Sequence, residues 1–119
     1  MTNNVAALRQ LLLSAPRETL PMTYQQVASK LALTPPRTIA QVTQALEQLM
    51  REDAAQQKPF IAALVVSRRG EGLPAAGFFE LAVALGRFPT NAADDPAAYH
   101  AEFQRALNER GHGDENDQP

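Results

Sequence analysis

The sequence predicts an α+β fold that is mostly helical, and three observations carry that reading. Apolar residues recur at three- and four-residue steps in five segments. One short run rich in β-branched residues, FIAALVVS at 60–67, breaks that period. Proline or glycine punctuates the junctions. A chain of 119 residues suffices for one core and is too short for two. The reading is a single domain over 1–110 and a disordered tail over 111–119.

Val5, Leu8, Leu11 and Leu12 share one helical face behind Asn4, so residues 5–14 form the first helix, which Pro16 ends. PRETLP at 16–21 is a loop bounded by two prolines. Thr23 and Gln26 have the spacing of a reciprocal helix cap, and a second helix follows from Tyr24 to about Leu31, burying Val27, Ala28 and Leu31. At the next helix start, either Thr34 caps with Pro35 in the first position, or Thr38 pairs with Gln41. This third helix runs to about residue 54 with Ile39, Val42, Leu46, Leu49 and Met50 as its apolar stripe. Its other face carries Arg37, Gln41, Gln44, Gln48 and Arg51.

The run at 60–67 reads as a strand with RRGEG as the turn behind it. LPAAGFF at 73–79 either returns as a second strand, completing a small β-hairpin, or leads directly into a helix. Phe78, Leu81, Ala82 and Leu85 then share a helical face that Gly86 stops. Asp95 and Pro96 open a last helix burying Tyr99, Phe103, Ala106 and Leu107. Three helices, a small hairpin and two C-terminal helices give the chain order of a winged helix, in which the third helix enters a DNA groove and the hairpin touches the backbone.

Composition narrows the function. There is no cysteine, so disulfides and thiolate chemistry are excluded. The longest apolar runs fall far short of the roughly 20 residues of a membrane span. No secretory signal opens the chain, and a cytoplasmic protein without membrane partners is expected. The net charge of −2 divides unevenly: residues 1–69 carry eight basic residues against four acids, +4, and residues 70–119 carry three against nine, −6. A basic front and an acidic rear orient a molecule in the field of a polyanion.

No catalytic residue, metal or cofactor is predicted. His100 and His112 lack a second ligand at metal-site spacing, no Ser, His and Asp are suitably arranged, and the glycines of GEGLPAAG fit no phosphate-binding fingerprint. Arg and Gln have the forked donors that read guanine and adenine edges, and a basic turn suits phosphates. The candidate DNA-binding residues are therefore Arg37, Thr38, Gln41 and Gln44 at the start of the third helix, and Ser67, Arg68 and Arg69 at the turn. An ordinary solvated face is the competing reading of the glutamines. A protein-interaction or homodimerisation module is the alternative function, motivated by the acidic rear half and by Phe78, Phe79, Phe88, Tyr99 and Phe103.

The stretch TYQQVASKLALTPPRTIAQVTQAL resembles the DNA-binding segment of the alkylguanine-DNA alkyltransferases and alkyltransferase-like proteins. Thr23, Tyr24, Val27 and Ala28 match that family's helix start, Arg37 matches the arginine opening its recognition helix, and PFIAALVVSRRGEG lies where its active-site strand and loop would be. The resemblance covers roughly residues 22–72 and adds Thr23 and Tyr24 to the candidate site. It implies that Tyr24 presses on a backbone phosphate and Arg37 fills the stack left by a turned-out base. PFIAA stands where the family has its Pro-Cys-His-Arg nucleophile motif, so alkyl transfer is excluded.

Overall fold

The structure, a computed structural model, describes residues 4–67, 72–89 and 96–116, with side chains in the last segment through Glu109. Among the described residues five helices surround a short buried segment. They are α1 (Asn4–Ser14), α2 (Tyr24–Lys30), α3 (Thr38–Ala55), α4 (Ala76–Ala84) and α5 (Pro96–Asn116). Two two-residue strands, β1 (Met22–Thr23) and β2 (Val65–Val66), join as a parallel pair, with Met22 opposite Val65 and Thr23 opposite Val66. The architecture is thus α+β and mostly helical, as the apolar periodicity predicts.

The core is built on residues 60–66. Every side chain from Phe60 to Val66 is buried, and the segment packs against α1, α3 and α5. Leu8 and Leu12 of α1, Val27 of α2, and Val42, Leu46, Leu49 and Met50 of α3 close over it, each at a position its helical period selects. Tyr99, Ala106 and Leu107 of α5 cover the other side.

The hairpin reading is corrected among the described residues. Ile61–Leu64 forms a turn of 3-10 helix rather than strand, and what remains, Val65–Val66, pairs with Met22–Thr23 from the distant start of α2. The reason is polar. The Phe60 N–H donates to Glu102 Oε2 at 2.7 Å and the Ile61 N–H to Asp53 Oδ2 at 3.0 Å, so carboxylates from α5 and α3 take the donors a neighbouring strand would have used. One element of the doubling-back survives, the Ser67 N–H to Leu73 C=O bond of 2.9 Å. Leu73 then leads directly into α4.

Three further expectations change. Ile39 is 37% exposed, because the first turn of α3 follows the exposed residues 34–37, and Ala45 and Asp53 join the buried stripe instead. The start of α3 uses neither anticipated cap: Arg37 is its N-cap residue, at φ 65°, and Gln41 Nε2 turns back to the carbonyls of Thr34 and Pro36, both at 3.1 Å. Helix α5 runs to Asn116, past the point where Gly111 was expected to begin a tail.

Helix ends account for the remaining turns. Three helices close with the pair of backbone bonds that defines a Schellman motif. After α2, Ala32 N–H reaches Ser29 C=O and Leu33 N–H reaches Ala28 C=O. After α3, Gln57 reaches Ala54 and Lys58 reaches Asp53. After α4, Gly86 reaches Val83 and Arg87 reaches Ala82. The left-handed residue is glycine only in the last, Gly86 at φ 79°; Ala32 and Gln57 take φ 55° and 58°.

Candidate nucleic-acid interface

Thr23 does what its spacing from Gln26 requires. Its Oγ1 accepts the Gln26 N–H at 3.1 Å, and its own N–H donates to Gln26 Oε1 at 2.8 Å, so the reciprocal cap holds the start of α2. Because Thr23 also pairs with Val66, residue Ser67 leaves β2 beside the start of α2. Thr23, Tyr24 and Ser67 are therefore brought together at one end of the parallel pair.

Tyr24 bridges this end to α3. Its hydroxyl accepts the Ala75 N–H at 3.1 Å, and its ring borders a small cavity of about 70 Å³ with Thr43, Glu47 and Met50 of α3 and Phe78 of α4. Burial raises its pKa above the ordinary tyrosine value; the Ala75 bond lowers it and nearby Glu47 raises it again. The hydroxyl therefore stays protonated.

On α3 the helical period places Gln41, Gln44, Gln48 and Arg51 on one face. Gln44, Gln48 and Arg51 are exposed, as are Arg37 before the helix and Lys30 at the end of α2. Thr38, the first residue of the helix, is half-buried, and Gln41 is committed to the 34–36 loop, which removes it from the set of free readers. The acids at the far end of this helix share one cation: Arg9 reaches Glu52 at 3.1 Å and Asp53 at 2.9 Å, which offsets one of the two negative charges. Arg37 and Arg51 are the exposed cations of α3, with the half-buried Glu47 between them along the helix. Residues 31–37 separate α2 from α3, a longer connection than the three- to four-residue turn of the simplest helix-turn-helix.

Arg68 and Arg69 lie outside the described residues, so of the basic turn only its approach through Ser67 is described. Asp53 and Glu102 were missed from the sequence. Asp53 is 2% exposed and Glu102 fully buried, and together they position Phe60 and Ile61. A signal existed: Asp53 continues the series 42, 46, 49 on the buried face of α3, and Glu102 stands three residues after Tyr99 and four before Ala106. An acid on an apolar stripe marks a buried carboxylate with dedicated donors.

Among the described residues no group of three His, Asp or Glu side chains is placed to hold a metal ion, and no helix is long and apolar enough to cross a membrane. No family model, no curated protein and no solved structure matches this chain.

Proposed function

We propose that this chain is a non-enzymatic DNA-binding protein that docks α2 and α3 on a duplex, with the outer face of α3 toward the groove and the basic turn at Arg68 and Arg69 on the backbone. The observation that carries the reading is the outer face of α3. There Arg37, Gln44, Gln48 and Arg51 are exposed, and two of the helix's three acids, Glu52 and Asp53, are paired with Arg9. Forked donors on an exposed helix suit the acceptor-rich edges of guanine and adenine, with Glu47 the one acid of α3 that has no ion pair among the described residues. Tyr24 contributes a phosphate-facing hydroxyl in this reading, a role taken from the likeness of residues 22–72 to the alkyltransferase DNA-binding segment. Of the aromatics behind the interaction-module reading, Phe78, Phe79, Phe88 and Tyr99 are buried in one aromatic cluster and Phe103 is half-buried, so the acidic rear half is its main remaining support.

Anisotropy titrations of a labelled duplex at two salt concentrations test the proposal. Affinity falls steeply with salt, by a log–log slope of about 0.9 per phosphate neutralised. Replacing Arg37 by Ala costs about 1–3 kcal/mol of binding if it reaches a base edge, and the Arg68→Ala/Arg69→Ala pair lowers the salt slope. A chain that ignores DNA at low salt, or binds equally well after these substitutions, refutes it.

A further inference from the structure

Away from α3's outer face, three cations converge where α3 and α4 end. A groove of about 360 Å³ is bordered by Gln57 and Lys58 after α3, by Leu85, Gly86 and Arg87 after α4, and by Arg105 of α5. Arg87 is held rigidly. Its Nη1 donates to Glu102 Oε2 at 2.6 Å, its Nη2 to the Lys58 carbonyl at 2.8 Å, and its guanidinium carbon lies 4.3 Å from the centre of the Phe60 ring. Arg105 shares the other oxygen of Glu102 and keeps more than half its side chain in solvent. Lys58 is exposed, with no side-chain partner among the described residues.

The charge here is larger than the fold requires. Among the described residues Glu102 is the one carboxylate paired with these three cations, leaving +2. Two helix C-termini contribute about −0.5 each, which still leaves a surplus positive charge. The Asp53 and Ala54 carbonyls of α3 and the Ala82 and Val83 carbonyls of α4 are already bound by backbone N–H groups in the Schellman pairs, so the cations are not needed to cap these. The surroundings sharpen the contrast, because residues 70–119 hold three basic residues against nine acids and two of the three stand in this groove.

We propose that this groove binds a small phosphorylated molecule. Its dianionic phosphate sits between Lys58 and Arg105 with the fixed Arg87 behind, and its body occupies the space along Gln57 and Gly86. Arg87 spends one N–H from each terminal nitrogen on protein acceptors and retains others for the anion. The volume lies within the range of small-molecule sites.

The test is an amide NMR titration of the full chain with inorganic phosphate, with ribose 5-phosphate and with duplex DNA, each against chloride at matched ionic strength. Ribose 5-phosphate produces saturating shifts at Gln57, Lys58 and Gly86 and not at Gln44, and binds at least several-fold tighter than inorganic phosphate. Lys58→Gln and Arg105→Gln, both exposed substitutions whose unchanged spectra elsewhere report an intact fold, each weaken it several-fold, and together at least tenfold. Shifts that do not saturate, that chloride reproduces, or that survive both substitutions overturn the proposal. So does equal binding of inorganic and sugar phosphate, which marks an adventitious ion only, or a response to DNA alone, which marks a backbone contact.

Discussion

The residues that organise this molecule are two buried carboxylates. Glu102 receives the Phe60 N–H, Arg87 and Arg105, so its removal strands a buried backbone donor and a half-buried guanidinium together. Glu102→Ala is expected to cost about 3–5 kcal/mol, read as a lower urea midpoint with an unchanged slope. The left-handed alanine and glutamine point the other way: Ala32→Gly and Gln57→Gly each relieve a side-chain clash, worth up to about 1 kcal/mol, and raise the melting temperature. Tyr99 makes stability depend on alkali. Burial, assisted by Tyr24, raises its pKa well above 10.0. The unfolded chain therefore ionises first, and stability present below that value is lost as pH rises through it. Tyr99→Phe removes the bond from the hydroxyl to the Ala63 carbonyl, costing about 1 kcal/mol at neutral pH, and flattens the alkaline decline seen in denaturation midpoints.

Among the elements, α2 shows how local code and tertiary structure cooperate. Seven residues are too few for an isolated helix. The Thr23–Gln26 cap and the burial of Val27 against α3 hold it in place. Thr23→Ala is expected to lose about 1 kcal/mol, and faster amide exchange across 24–30 than across α3 would locate the loss. The five helices were legible because each repeats apolar side chains at the period its own backbone imposes, and Thr23 with Gln26 was legible because a cap is a local rule. The 60–67 run was not. Its composition suits a strand, yet Asp53 and Glu102 capture its first donors and Met22–Thr23 takes its last residues, all from positions that only the folded chain makes adjacent. Ile39 misled for the same reason, since periodicity ranks positions around a helix without saying where the core stops along it.

For the whole molecule, the uneven charge is the property most relevant to a polyanion. Residues 111–119 hold three acids and no Lys or Arg, so removing them shifts the net charge from −2 to +1. Duplex affinity at low salt is expected to rise on that truncation, and the gain to vanish at about 1 M salt, where the Debye length shrinks to about 3 Å. Titrating both chains in the same anisotropy series checks this. The candidate site was half legible. Arg37 and Gln44 are exposed as their helical positions suggest, whereas Gln41 is diverted to the 34–36 loop, which helical periodicity could not reveal.

The chain's own code determined five helices, the cap at Thr23, the absence of thiol chemistry and the division into a basic and an acidic half, because each follows from neighbours in sequence or from composition. Tertiary structure decided the partners: which strand β2 joins, which carboxylates go inside, and which cations gather at the ends of α3 and α4. Those choices rest on hydrogen-bond donors and charges meeting across dozens of residues, where no local period reaches.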